Sequence, residues 1–435
     1  MELTYEKVKS IILTVLVVMS IILTMNLWSY SPIADKSGNS FLLSEKKDLK
    51  EIVRIEQIIF NLEGNYYGTL STEKVDNLMK AVSSWEFRSF KNLSLDEMNI
   101  DVKSESHDSM QIIYPGEIPM ELFASIYKLD GKTPSKFYFN KILIDFKSDD
   151  YGDGNVYFIS EENQQVYSSY VLATSLKQFI QDYFEQAKQY NQYFSFKTGS
   201  GRTIYLPKGQ TELVNNQYLF KKLPIANLKD ALFSNPSIVE KTFIPSGEEY
   251  TDGRKLLIVD NERHSITFSD LSDDESHKTN TDGLVQKSIN FVNKHGGWTD
   301  NYRFVGLDKE REIAHFQIYG PDGYPVFGEN NPISKIEIDW AATEVRSYSR
   351  NNFSLGLPAL NPIKRLESGY IVIEEIEERE GEEYNQSLIE DIKIGYKMTM
   401  NAKTISLEPS WFYLYGDEWK PIKVDAIGGE QVGLE

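Results

Sequence analysis

The chain has no cysteine in 435 residues. Disulfides, thiolate nucleophiles and cysteine metal sites are therefore excluded. Any exported part rests on ordinary hydrophobic cores, and 26 Tyr and 23 Phe supply the bulk for them. Histidine is scarce. His107, His264, His277, His295 and His315 include no pair three or four residues apart, so there is no helical metal pair and no HExxH. GxSxG and GxGxxG are also absent. The formal charge of −19 argues against nucleic acid, which needs concentrated Lys and Arg, and against bulk attraction to anionic membranes or wall polymers.

Two stretches resemble ligand loops and fall short. "DDYGDGN" (149–155) carries Tyr151 where the third-position calcium ligand belongs and Ser160 where the closing Glu belongs, which leaves a hairpin turn. "DGKT" (130–133) lacks the upstream glycine of a phosphate loop. Carboxylates are so many, 65 in all, that spacing singles out no acid and base pair for glycoside chemistry. No catalytic residue, metal ligand or cofactor is assigned, and an enzyme is not expected. The run "EEIEEREGEE" (374–383) reads as a solvated strand end and turn.

What the chain does have is a long apolar run near its start. From Ile11 to Trp28 there are 18 residues without a charge. At ~1.5 Å per residue they match a bilayer core of ~30 Å. Lys7 and Lys9 precede the run, and only Lys36 follows within the next fifteen residues, which favours the N-terminus inside. Trp28 and Tyr30 lie where an aromatic belt would sit. A cut after Ser29-Tyr30-Ser31 would fall before Pro32, a poor site, so the segment reads as an uncleaved anchor. Ser10, Thr14, Ser20 and Thr24 fall within an arc of about 120° on one helix face. Ser10/Thr14 and Ser20/Thr24 have the small-xxx-small spacing that permits close helix approach in lipid. Self-bonding to the same helix is the alternative role for these hydroxyls.

Beyond the anchor (1–30) and a polar stalk (31–49), hydropathy divides the chain into three α+β units at 50–198, 199–283 and 284–435, with the border near "KTGSGR" (197–202) and the acidic stretch 269–283. Ile52, Ile55, Ile58 and Ile59 predict a helix near 50–63, and Val75, Leu78, Met79 and Val82 one over 73–85. "KFYFNKILIDFK", "NVYFIS" and "QVYSSY" predict a meander. An unbroken stripe predicts a helix over 175–190, opened by a Ser175-x-x-Gln178 capping box. Short helices are expected at 226–233 and 387–392 and a longer one at 284–294. "KLLIVD" and "HSITFS" predict a hairpin around Asn261-Glu262-Arg263. "SGYIVIEEIEE", "IGYKMTM" and "TISLEPSWFYLYG" read as strands. A helix followed by antiparallel strands recurs about three times, a possible structural repeat. In "PDGYPVFG" (321–328), Tyr324 and Phe327 are either core residues or an interaction tip.

Several of these stretches resemble the YycH (WalH) family. They are the anchor "VKSIILTVLVVMSIILTMNLWSYSP" (8–32), "FVNKHGGW" (291–298), "DGYPVFG" (322–328), "IGYKM" (394–398) and "LEPSWFY" (407–413). The resemblance runs end to end. It implies a single-pass membrane protein with its domains outside, acting with a YycI-like companion on a WalK/YycG-like sensor histidine kinase that controls cell-wall metabolism. It also implies contact through transmembrane helices and the outer domains, with inhibition in some members and activation in others. A membrane-anchored wall-ligand binder or wall glycosidase is the alternative from the residues.

Overall fold

The structure is a computed structural model. It describes residues 19–20, 46–93, 108–146, 153–272, 283–328, 331–341, 344–359, 362–378, 386–401, 403–416 and 418–422. Among these, no helix is long and apolar enough to cross a membrane. The segment 11–28 lies outside them apart from Met19 and Ser20, which are helical and exposed.

The architecture is α+β. Strands β1 (Gln57–Leu62), β2 (Asn65–Thr69), β3 (Glu86–Leu93), β4 (Ser109–Pro119), β5 (Lys128–Asp130), β6 (Tyr138–Asp145), β7 (Gly154–Ser160), β8 (Gln165–Val171), β9 (Asn191–Lys197) and β10 (Thr203–Pro207) form one sheet in the order β10-β9-β2-β1-β4-β6-β7-β8-β3-β5. After a four-residue turn of helix, α1 (Leu49–Ile52), three helices pack on it: α2 (Thr72–Val82), α3 (Met120–Ile126) and α4 (Ala173–Phe179). In α2, Val75, Leu78 and Val82 face the sheet, while Glu73 in the first turn and Lys80 in the last complement the helix dipole. Phe123 of α3 meets Phe87, Phe139 and Phe158 edge-on at 5.2–5.5 Å, the favoured aromatic geometry.

The remaining strands are β11 (Thr211–Val214), β12 (Asn216–Lys222), β13 (Glu240–Ile244), β14 (Gly247–Thr251), β15 (Lys255–Asp260), β16 (Ser265–Asp270), β17 (Tyr302–Asp308), β18 (Ile313–Ile318), β19 (Val326–Gly328), β20 (Lys335–Ala341), β21 (Glu344–Asn351), β22 (Phe353–Ala359), β23 (Ile363–Leu366), β24 (Ile389–Met400), β25 (Thr404–Tyr415) and β26 (Glu418–Ile422). An eight-stranded sheet runs β13-β14-β15-β16-β21-β20-β18-β17, and a six-stranded one runs β19-β24-β25-β12-β22 with β26 on β25. Helix α5 (Ile225–Leu232) buries Leu228 and Leu232. Helix α6 (Leu284–Lys294) buries Val285, Ile289 and Val292, and its Ser288 accepts from Trp340 Nε1 at 2.8 Å. Helix α7 (Gly369–Glu377) packs Val372 and Ile376 against Ile204 and Leu206 of β10 and Ile392, Ile394 and Trp411 of the six-stranded sheet.

Four sequence expectations change. Residues 50–63 are not one helix: α1 ends at Ile52 and β1 begins at Gln57. Both faces of β1 are buried, so its isoleucines lack the alternation that marks a strand. Residues 369–377 are helical, not extended, because Val372 and Ile376 fill a groove that only a helical spacing matches. At 387–392 a 3₁₀ turn, Gln386–Leu388, leads directly into β24. The helix over 175–190 exists as α4 followed by a wide π-turn at Ile180–Phe184 and a 3₁₀ turn at Ala187–Gln189. It starts two residues early, so Ser175 lies inside it and caps nothing. The sheets also cut across the three units at 50–198, 199–283 and 284–435. The stretch 197–202 is the turn of the β9–β10 hairpin, and strands from 240–270 share a sheet with strands from 302–351.

Candidate functional site

A narrow crevice lies where the first sheet meets the six-stranded one. It is small, about 60 Å³, room for a few waters and far below the ~300 Å³ of an ordinary small-molecule site. Its walls carry six charged side chains from five separate stretches. Glu56 precedes β1, its backbone N–H donating to Ile113 O at 2.9 Å. Lys141 lies in mid-β6, Glu161 in the β7–β8 turn and Arg202 in the β9–β10 turn. Asp391 and Lys393 are in β24.

These six form one continuous chain of ion pairs. Lys393 Nζ donates to both Glu56 carboxylate oxygens at 3.0 Å and lies 3.1 Å from Asp391. Arg202 bridges Asp391 at 3.7 Å and Glu161 at 2.9 Å, and Lys141 meets Glu161 at 2.5 Å. Three cations and three anions alternate, so the chain is neutral. Around it, Asn140 Nδ2 donates to Glu161 at 2.8 Å, Tyr319 Oη donates to Glu56 at 3.4 Å, and Lys393 lies 4.9 Å from the Trp419 ring centre. Each carboxylate is held by a cation. The arrangement joins segments and neutralises charge; it presents no unengaged acid and base pair of the kind glycoside chemistry uses.

Burial pushes the Glu161 carboxyl up, but Lys141 and Arg202 outweigh it and hold it below its ordinary value of 4.5. Burial pulls Lys393 down, but Asp391 and Glu56 outweigh it and hold it above 10.5. The signs differ. Glu161 contributes stability that is present above 4.5 and lost as pH falls through its folded value, whereas Lys393 contributes stability present below 10.5 and lost as pH rises through its folded value. The joint contribution of these two groups to the thermal midpoint is therefore expected to be flat between these limits and to fall on both the acid and the alkaline side. Glu161→Gln should flatten that acid limb; an unchanged limb in a pH series would show that Glu161 does not set it.

A second seam binds the first sheet to β17. Arg303 donates to Ile55 O at 3.4 Å and Thr72 Oγ1 at 3.2 Å, with Tyr319 stacked 4.3 Å away. Lys309 Nζ meets Glu117 at 2.7 Å. Between them, Gly116 lies so close to β17 that a Cβ there would sit 2.1 Å from Val305 O.

Of the side chains singled out from sequence, Lys7, Lys9, Ser10, Thr14, Thr24, Trp28 and Tyr30 lie outside the described residues, and Ser20 is helical and exposed. The reading of Tyr324 and Phe327 as an interaction tip is corrected. Phe327 is buried, its ring 4.3 Å from Phe412 and 5.0 Å from Trp419. Tyr324 lines the crevice, and burial lifts its phenol to about 12. The turn at 321–323 only folds this stretch back onto β24. His295 stacks on Phe291 at 4.0 Å, and its Nδ1 lies 2.8 Å from Phe291 O. Among the described residues no group of three His, Asp or Glu could hold a metal.

Two family models match. The one described as "YycH protein, N-terminal domain" covers residues 6–188, and "YycH protein, C-terminal domain" covers 201–428. A curated protein of Bacillus subtilis (strain 168), named "Two-component system WalR/WalK regulatory protein YycH", is 24% identical over 451 residues, covering 98% of each chain. The crystal structure of YycH from Bacillus subtilis superposes with a TM-score of 0.74 at 22% identity, covering 88% of this chain and 99% of that one.

Proposed function

The chain belongs to the YycH family, and from that premise we propose that it is a membrane-anchored, non-enzymatic regulator of a WalR/WalK-type two-component system. The observation that carries this reading is the family match, which begins at residue 6 and so takes in the apolar run. In this reading residues 1–30 hold the N-terminus in the cytoplasm, and the folded part lies outside the cell membrane. The Ser10, Thr14, Ser20 and Thr24 face packs on a neighbouring helix, from a WalK-like kinase or a YycI-like companion protein.

Such a regulator acts by binding one kinase state better than the other. Two seams that tie the first sheet to the six-stranded sheet and to β17 would carry a difference in contact from one end to the other. A wall-ligand or glycosidase role gains no support from the crevice, where every charge is engaged.

The test replaces residues 1–30 with an unrelated single-pass anchor and, separately, makes Thr14→Leu with Ser20→Leu. Both should reach the membrane, lose co-purification of the kinase and change wall-regulon output several-fold. Normal kinase association and output in both would sink the helix-face reading and move recognition to the outer surface.

A further inference from the structure

The eight-stranded sheet ends on β13, which pairs only with β14 among the described residues. Natural edges are blunted by proline, bulges, covering loops or charged side chains; β13, "EKTFI", carries Glu240 and Lys241 but neither proline nor bulge. Its side chains Glu240 to Phe243 are exposed, Phe243 by 76%. Ile238, just before it, is 58% exposed.

The backbone direction of β13 follows from its hairpin. Asn261 N–H donates to Ser246 O at 2.7 Å, so residues 246, 248 and 250 turn their backbone groups toward β15. Residues 247, 249 and 251 then face β13, where their partners are Ile244, Thr242 and Glu240. By alternation, the N–H and C=O of Lys241 and Phe243 point out from the open edge.

Only one antiparallel self-pairing register uses these groups well. With the twofold axis at Thr242, Lys241 lies opposite Phe243 of a second copy, and the two exchange a pair of hydrogen bonds. The axis repeats this, giving four. Centring on Lys241 sets two lysines face to face, and centring on Phe243 sets Lys241 opposite Pro245, which cannot donate. In the favoured register Glu240 faces Ile244, no like charges meet, and each Phe243 ring lies diagonal to its twin. The cation–π contact already present within the strand, Lys241 Nζ 4.7 Å from the Phe243 ring centre, gains an equivalent across the axis.

We propose that β13 is a docking edge for a second copy of this chain, joining two eight-stranded sheets into one through an isologous pair centred on Thr242.

The absence of cysteine makes the test specific. Thr242 would face its own twin as a non-hydrogen-bonded pair at a Cα separation of about 4.5 Å, within disulfide reach. Glu240 residues of the two copies would lie roughly 13 Å apart at ~3.3 Å per residue, beyond it. The full chain in detergent micelles is oxidised mildly as Thr242→Cys and as Glu240→Cys. The expected result is a covalent dimer from Thr242→Cys at least tenfold faster than from Glu240→Cys. Adding Lys241→Pro, which removes an outward N–H and the Lys241–Glu248 ion pair but leaves the backbone bonds to β14, should abolish the difference. Equal rates at 240 and 242, as random collision or dimerisation by the anchors alone would give, overturn the proposal. So does a Thr242→Cys protein that unfolds at the normal temperature and stays monomeric, whether its edge is bare or held by another protein's strand.

Discussion

Lys393→Ala should cost about 3–5 kcal/mol of folding stability, the usual penalty for removing one partner of a buried ion pair. Lys393 separates Glu56 and Asp391, both buried. Without it, two carboxylates face each other with little water between them, and only Arg202, 3.7 Å from Asp391, is left to balance them. The penalty comes from the charges left behind, not from the value of the pair itself. Adding Glu56→Gln to Lys393→Met should therefore recover most of the loss, since Asp391, Arg202, Glu161 and Lys141 then remain balanced, two charges against two. Urea unfolding measures this: the midpoint should move strongly for Lys393→Ala with little change in slope. Glu212→Ala is the contrast, because the Arg365–Glu212 pair is more than half exposed on both sides and exposed pairs contribute little. Equal losses for the two would refute the account of the crevice.

Gly116→Ala should be severely damaging for a single added methyl, costing about 3 kcal/mol, the upper end of over-packing. The new Cβ would lie 2.1 Å from Val305 O and 2.9 Å from the carbonyl carbon, and both are backbone atoms that no rotamer change can move aside. Relief requires β4 and β17 to separate, which pulls Glu117 from Lys309 and Ile55 from Arg303. Hydrogen exchange reads this directly, with faster exchange expected in 109–119 and 302–308 and little change in 240–270. Gly209→Ala, where nothing lies within 4 Å, should leave the midpoint within about 0.5 kcal/mol of its starting value. A harmless Gly116→Ala would mean the two sheets do not press together there.

Much of the layout is legible from local pattern. The apolar stripe of 284–294, the meander at 136–171 and the hairpin around 261–263 each follow from one periodicity and one turn. The failures share a cause. At 57–62 both faces of the strand are buried, and at 369–377 a run of Ile, Val and Glu satisfies either period until a partner surface decides. The six charges of the crevice are spread from 56 to 393, so no spacing links them. The faint signal was a charge inside an otherwise apolar strand, as with Lys141 in "KILIDF" and Lys393 between Ile392 and Ile394. Such a charge must find a partner, but sequence does not say which.

Strand β10 belongs to the first sheet by its hydrogen bonds and to the last by its core: it pairs with β9, while Ile204 and Leu206 pack under α7 and against Trp411. This has a consequence for the order of synthesis. Once residue 207 has emerged, the first sheet can complete its pairing. The outer face of β10 then stays bare while some two hundred further residues are made, because its cover is among the last parts produced. A nascent chain paused anywhere in that interval carries a finished sheet with an apolar flank open to solvent. That interval is where a holding chaperone has something to grip, and where a premature stop yields a fragment that pairs correctly and still aggregates.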